Sequence, residues 1–524
     1  MHKWEKNRII KNVGSNWFSL AINVLVGMLL SPFIVHRLGD AAFGIWVLIF
    51  SITGYYGIFD LGIRSAIIRY VSKFSATSDI EGLAKVINTN LFLYICTGIA
   101  SMLVTVVLAL HLNSIFHIPA EFHNDARWLL LMTGASVALG FPLGMMGGVL
   151  EGLQRFYVLS WTNTVSNLLR ALLIVIALDH GGGLLTVAFI TVGLATLASL
   201  VRAIVAMRIC PIPLGLHYVN WKTFTSMAHY SGVTFIIMIA QRLKFKTDEI
   251  VLGAMMSAAA ITYFNFGARI VDYAGSVVTS LAQIFVPMAS HSEAVGDMDR
   301  LRKIFVTGNR FCAFTIFPIT VTLIILGKSI IEVWVGKKYV ATSYPVLVIM
   351  ILCCTLLWAQ AASGRLLLGI GRHRTWALVT LIEGISNVVL SIILVRPYGI
   401  IGDAMGTAIP MTCSMLLFMP RHVCRQLNIP LKTYLREGYV LPLLLCLPLA
   451  GTLLLMRYWF VPHHYLQLGL HLLAGGAVYG LALGWAFLTN RATRVKSLSP
   501  QPRKHAADLG LLATPQMESF QQDV

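Results

Sequence analysis

The strongest constraint on this chain is a succession of apolar runs, each about twenty residues long, separated by short basic segments. A helix that crosses the apolar core of a bilayer needs about 20 mainly apolar residues. Fourteen runs qualify: Val13 to Val35, Ala42 to Gly62, Ile87 to Leu110, Arg127 to Val149, Val158 to Leu178, Leu184 to Met207, Tyr230 to Gly253, Ala258 to Val278, Ile304 to Leu326, Tyr344 to Leu367, Trp376 to Val395, Ile400 to Met419, Tyr439 to Met456 and Leu466 to Thr489. Of 524 residues, 57% are apolar and 12% charged, whereas soluble globular proteins carry roughly 25% charged residues. The chain reads as an all-α integral membrane protein with about 14 transmembrane helices. Its first run is too long for the apolar core of a signal peptide and is expected to remain as the first span.

The net charge of +18 is spread over short segments between apolar runs, with no soluble domain to present a nucleic-acid-binding face. Membrane topology accounts for it. With the N-terminus inside, 26 of the 40 Lys and Arg residues fall in cytoplasmic segments, which places both termini in the cytoplasm. Eight cysteines without CxxC spacing imply neither a disulfide nor a metal site. Phosphate-binding, zinc-protease and nucleophile-elbow motifs are absent, and no outer loop exceeds about twenty residues, so an enzyme is not expected. Asp297 and Asp299 read as helix-start residues. His463 and His464 read as surface histidines lacking a third ligand.

The chain also repeats. Leu150, Gly152 and Arg155 return 217 residues later as Leu367, Gly369 and Arg372; Arg208 returns as Arg425, and Ile212, Pro213, Leu214 as Ile429, Pro430, Leu431. With a slip of three, Ser166-Asn167 matches Ser386-Asn387. The expected organisation is a six-helix lobe over 1–207, an amphipathic linker over 208–229, a second six-helix lobe over 230–420, and a second linker over 421–438. Two extra helices over 439–489 and a disordered cytoplasmic tail over 490–524 complete it. Six spans per unit give both lobes one orientation, hence a pseudo-two-fold axis along the membrane normal.

Within this frame Tyr230 to Gly253 stands out, because it places Gln241, Arg242, Lys244, Lys246, Asp248 and Glu249 inside the bilayer. A charge at the bilayer centre costs at least about 2.5–3.5 kcal/mol, so such residues face a bundle interior or a wet cavity. Helical spacing puts Arg242, Lys246 and Glu249 on one face and Lys244 with Asp248 on another. Stacked cations become reasonable if an anion sits between them. Other intramembrane ionisable groups are Asp60 with Arg64, Arg269 with Asp272, Arg170, and Glu383. For Asp60 and Arg64, a simple i, i+4 pair and a gating element both fit. For Arg269 and Asp272, a self-cancelling pair and a cation-binding acid both fit. Arg170 and Glu383 lie on repeat-equivalent helices, where a cross-lobe pair is geometrically open. Mid-membrane cations suit an anionic lipid headgroup, and carboxylates such as Asp248, Asp272 and Glu383 suit loading of H⁺ or Na⁺ from a gradient.

The runs FDLGIRSAIIRYVS at Phe59 to Ser72 and AAAITYFNFGARIVDYAGSVVTSLAQIFVPMASHS resemble polysaccharide-transporter flippases of the multidrug/oligosaccharidyl-lipid/polysaccharide exporter superfamily. The resemblance covers about residues 10 to 490. It implies two lobes in a V-shaped, alternating-access arrangement in the bacterial cytoplasmic (inner) membrane. The implied substrate is an undecaprenyl-diphosphate-linked oligosaccharide, moved to the outer leaflet for O-antigen, capsule or exopolysaccharide synthesis. It implies no cofactor beyond an H⁺ or Na⁺ gradient, and leaves room for other polysaccharide-assembly proteins as partners. Family members show a cationic lumen. Membrane depth and helix face place Arg242, Lys246 and Arg269 there, while Asp60 and Arg64 carry over from the motif as a cytoplasmic-side element. A cation-coupled multidrug exporter on the same fold is the alternative; it favours acidic, aromatic lumens.

Overall fold

In a computed structural model, residues 3–372 and 374–492 are described. The tail expected to be disordered lies outside the described residues from position 493 onward. Every regular element among them is helical, as required of backbone that must satisfy its own hydrogen bonds in lipid. The first half comprises α1 (Lys3–Leu38), α2 (Asp40–Tyr55), α3 (Ile63–Ala76), α4 (Ile80–Ile115), α5 (His123–Gly152), α6 (Phe156–Asp179) and α7 (Leu184–Ile209). The second comprises α8 (Trp221–Phe245), α9 (Asp248–Met255), α10 (Ala258–Ala282), α11 (Phe285–Ala294), α12 (Met298–Trp334), α13 (Lys337–Ala359), α14 (Ala361–Gly369) and α15 (Arg374–Cys413). Short helices α16 (Met419–Leu427) and α17 (Leu431–Leu435) lead to α18 (Leu441–Trp459) and α19 (Tyr465–Leu488).

Among the described residues, twelve stretches are long and apolar enough to cross a membrane. One of them, running 374–427, holds two crossings, because the chain reverses within α15 at Gly399. There φ is 56° and ψ −135°, a left-handed region that favours glycine. A Cβ at Gly402 would lie 2.0 Å from Leu394 O, so the limbs pack back on each other. The charged α8–α9 segment is the other crossing outside the twelve, and counting both brings the total to fourteen. One expectation fails here: Tyr230 to Gly253 is not a single helix, since it starts at Trp221 and breaks between Phe245 and Asp248.

The repeat is built into backbone geometry. Gln154 and Gly371 both take left-handed φ, 56° and 68°. Ser72 Oγ donates to Gly152 O at 2.7 Å, and Ser290 Oγ donates to Gly369 O at 2.9 Å. Asp79 caps α4 by accepting from Gly82 N at 2.8 Å, and Asp297 caps α12 by accepting from Arg300 N at 2.9 Å. Packing repeats as well: α1 lies on α6 as α8 lies on α15, α4 on α5 as α12 on α13, and α3 on α5 as α11 on α14. The two lobes meet where equivalent helices α2 and α10 pack together, which puts the pseudo-two-fold axis between them. Gly44 permits that approach, because a Cβ there would sit 1.7 Å from Ala258 O.

Helices α18 and α19 pack on each other and on α12. Buried Arg310 of α12 fastens them. Its Nε donates to Glu437 O at 2.5 Å, one Nη to Ala492 O at 3.0 Å, and the other pairs with Glu437 Oε2 at 3.2 Å. It thus satisfies carbonyls beyond the end of α19 that no helical N–H reaches.

Candidate functional site

The break between α8 and α9 organises the site. Lys246 N still donates to Arg242 O at 3.0 Å. Thr247 Oγ1 donates to Leu243 O at 2.7 Å and lies 2.5 Å from Tyr55 Oη of the other lobe. Helix α9 then restarts with Asp248 and Glu249 in its first turn, where the positive end of the helix dipole favours carboxylates. Helices interrupted at membrane depth are tolerated where the freed backbone is buried in protein or lines a cavity.

A cavity of about 230 Å³ opens beside the break, between the lobes. Lys246, Glu249, Asn265 and Arg269 line it from the second lobe; Ser31, Ser51 and Arg170 line it from the first. Arg269 lies eleven residues into α10, ~16 Å from that helix end at 1.5 Å per residue, or near mid-depth. Three cations and one carboxylate therefore face the cavity. Asp272 is exposed and within electrostatic range of Lys246, Glu249 and Arg269. It makes no ion pair with Arg269 among the described residues, so the self-cancelling pair is not formed.

The other face of α8 and α9 turns to α15. Buried Lys244 pairs with buried Glu383, whose second oxygen accepts from Ser414 Oγ at 2.8 Å. Glu383 is therefore held within its own lobe, and the cross-lobe pair with Arg170 does not occur. Thr407 Oγ1 lies 2.9 Å from Asp248 Oδ1 and 3.2 Å from Asn387 Oδ1, while Asn387 Nδ2 donates to Lys244 O at 3.0 Å. Asp403, fully buried, lies within electrostatic range of both Asp248 and Glu249. Sequence reasoning missed Asp403, although it is the one acid inside the predicted span Ile400 to Met419.

The expected Asp60–Arg64 partnership resolves differently at the face bearing the N-terminus. Arg64 pairs with Glu151 at 2.8 Å, and Asp60 accepts from Tyr94 Oη, so the i, i+4 pair is not made. The backbone turns left-handed at Leu61 and Gly62, so Asp60 and Arg64 do not stand one turn apart on a continuous helix. Arg242 does not line the cavity. It packs against the 56–60 turn, where a Cβ on Gly57 would meet its Nη2 at 2.8 Å.

At the opposite face, Asp40 of α2 forms a clasp that sequence reasoning also missed. Tyr339 Oη donates to it at 2.5 Å, Tyr263 Oη at 3.3 Å, and Lys338 Nζ pairs with it at 3.0 Å. Thr262 Oγ1 donates to the Asp40 main-chain oxygen at 2.7 Å. All four partners belong to the second lobe. Nothing in the local sequence around Asp40 names them.

A two-lobe, fourteen-span bundle with charged residues at the lobe interface defines an exporter-type membrane carrier fold. The family model described as "Polysaccharide biosynthesis protein" matches residues 9–293, and the chain belongs to that family. The resemblance to polysaccharide-type members of the exporter superfamily holds. A putative O-antigen transporter of Shigella flexneri is 20% identical over 424 residues, covering 78% of this chain and 96% of that one. An uncharacterized membrane protein, EpsK, of Bacillus subtilis is 21% identical over 422 residues, covering 79% and 83%. In three dimensions, the lipid II flippase MurJ in an inward closed conformation superposes with a TM-score of 0.70 at 17% identity, covering 93% of this chain and all of that one. An inward-facing MATE-family multidrug transporter gives 0.65 at 13% identity, covering 78% and 94%. These structural likenesses concern the fold.

Proposed function

We propose that this protein flips an oligosaccharide carried on a polyprenyl, in bacteria undecaprenyl, diphosphate from the cytoplasmic to the outer leaflet of the inner membrane, for surface polysaccharide assembly. The carrying observation is the mid-depth cavity between lobes in which Lys246 and Arg269 outnumber Glu249. Fixed cations replace the water that a diphosphate loses on entering a low-dielectric slab. Relatives named as a putative O-antigen transporter and, in Haloferax volcanii, a probable low-salt glycan biosynthesis flippase support the same reading. Drug export by cation exchange fits less well, because a cationic cavity repels a cationic drug.

Alternating access would open the cavity first to one face and then to the other, with the Asp40 clasp releasing at the outer side. The division into lobes 1–207 and 230–420 with cytoplasmic linkers, and the cytoplasmic placement of both termini, are part of this proposal, the latter from the positive-inside distribution. Coupling to H⁺ or Na⁺ is assigned to Asp248, which sits beside Asp403, Asn387 and Thr407 on the protein-facing side of the break. Glu383 is given a structural role through Lys244 instead. Asp272 remains with the cavity electrostatics, and Arg242 with the lobe seam.

The test is the double substitution Lys246→Gln with Arg269→Gln, assayed for surface polysaccharide and for membrane-inserted protein. Polysaccharide output should be lost with insertion unchanged. Normal output would remove both residues from the translocation path.

A further inference from the structure

Gly27 lines the cavity where α1 touches α10, its backbone against the Tyr273 hydroxyl. From that level toward the face bearing the N-terminus, polar side chains continue on both lobes. On α10, Asp272, Ser276, Ser280 and Gln283 follow cavity-lining Arg269 at three- and four-residue spacing, which keeps them on its face. On α6, Asn163 and Asn167 precede cavity-lining Arg170 in the same rhythm, and on α1 Asn23 stands one turn before Gly27. Asn163 lies ~10 Å and Asn167 ~16 Å from the start of α6 at 1.5 Å per residue, so both stand at bilayer depth. Exposed Trp161, Val165, Leu168 and Leu172 mark the lipid face of α6, and the asparagines occupy the opposite side.

Amides at this depth cost free energy unless they meet polar partners, and Asn23 and Asn163 are both exposed. They are joined in short chains: Asn167 Nδ2 donates to Asn23 Oδ1, while Arg202 of α7 donates to Asn163 Oδ1 at 3.3 Å and to Ser199 Oγ at 2.9 Å. Arg64 and Glu151, within electrostatic range of Arg202, pair with each other. On α10, Ser276 Oγ and Ser280 Oγ donate to carbonyls of their own helix, at 2.7 and 2.8 Å, which leaves their lone pairs open. Fastening helices uses part of each amide; with two donors and an acceptor oxygen, each keeps an exposed edge. Beyond Asp272 the stretch is rich in amides and hydroxyls, in contrast to the charged cavity.

We propose that this stretch is the glycan subsite of the passenger: Asn23, Asn163 and Asn167 of the first lobe, with Ser276, Ser280 and Gln283 of the second, bind the hydroxyls of its sugar units. The inference rests on the flippase reading and deepens it, by giving the uncharged part of the cargo its own residues. Each sugar hydroxyl both donates and accepts, and so does each amide, so hydrogen bonds run in both directions without any charge. The order along the path also fits, because sugars arrive from the cytoplasmic side, and in the proposed orientation the stretch lies on that side of the cavity. Amides already held by neighbouring helices lose little freedom on binding.

The experiment uses the full-length protein in nanodiscs, with thermal shift recorded against rising concentrations of two probes. One is undecaprenyl diphosphate, which lacks sugar; the other is lipid-linked oligosaccharide extracted from cells depleted of this protein. The parental protein should bind the second more tightly than the first. Asn163→Ala with Asn167→Ala should weaken binding of the oligosaccharide-bearing probe about ten-fold or more and leave undecaprenyl diphosphate unchanged. Asn163→Ala alone keeps the bond between α1 and α6 and should weaken it about three-fold, and Asn163→Gln should regain part of that loss. Lys246→Gln with Arg269→Gln should weaken both probes alike. Equal parental affinity for the two probes, or parental binding of both by the asparagine variants, would overturn the glycan subsite and leave the flippase reading standing. An equal loss of both probes in Asn163→Ala would overturn it too, by giving Asn163 a purely structural role. Binding of neither probe by the parental protein would remove the subsite and the reading together.

Discussion

The helices that open the two lobes hold equivalent places, α1 against α6 and α8 against α15, yet they are built differently. With the offset of 217, Gly27 corresponds to Lys244 (27 + 217) and Ser31 to Asp248 (31 + 217). In α1, Ser31 Oγ bonds back to Gly27 O at 2.7 Å, and the helix runs unbroken from Lys3 to Leu38 despite Pro32. In the second lobe the same level carries charges, the helix breaks, and both faces of the break are put to use. A symmetric scaffold thus supports an asymmetric interior. The first lobe supplies a nearly neutral wall with one cation, and the second supplies the charges.

The sharpest way to break that comparison is to disrupt the buried pair that α1 lacks. Lys244→Met alone should destabilise the protein by about 3–5 kcal/mol, because it strands Glu383 in a dry site. The double change Lys244→Met with Glu383→Met should restore most of that in a detergent unfolding assay. Ser31→Ala, at the level of Asp248 in α1, should shift stability by less than about 1 kcal/mol.

Asp248→Asn keeps shape and removes charge. Proteoliposome transport should fall about ten-fold or more, with the dependence on an imposed H⁺ or Na⁺ gradient lost and folding retained. An unchanged gradient dependence would move coupling elsewhere. Gly44→Ala tests the seam on which the two lobes are compared: a methyl driven toward Ala258 O should cost about 1–3 kcal/mol, read as a lower melting temperature. The smallest effect is expected at Arg64→Gln. The Arg64 side chain is 43% exposed, against 4% for Lys244, and a solvated pair contributes about 1 kcal/mol or less.

Much of the fold was legible because lipid imposes a simple rule on sequence. Fourteen apolar runs, the repeat at Leu150, Gly152 and Arg155, and the assignment of Asp297 to a helix start all rest on local composition and spacing. The two faces of Tyr230 to Gly253 were readable in part: of Arg242, Lys246 and Glu249, the last two turn to a cavity and Arg242 packs against the 56–60 turn instead, while Lys244 with Asp248 turn to α15. The break itself was not, since Phe-Lys-Thr carries no Pro or Gly to announce it. Nor were the partners. Arg64 chose Glu151 over Asp60 because Leu61 and Gly62 turn the chain between the two.

By itself, the sequence determined that the chain spans a membrane many times, that it does so twice over in matched halves, and which charged residues stand at lipid depth. Those properties follow from hydrophobic length and periodicity, which need no knowledge of neighbours. Tertiary structure alone decided who meets whom: Asp40 with Tyr339 and Lys338 across 299 and 298 positions, Lys244 with Glu383, and Arg170 facing Arg269. Pairing across a lobe boundary is set by how helices pack, which local composition and spacing do not encode.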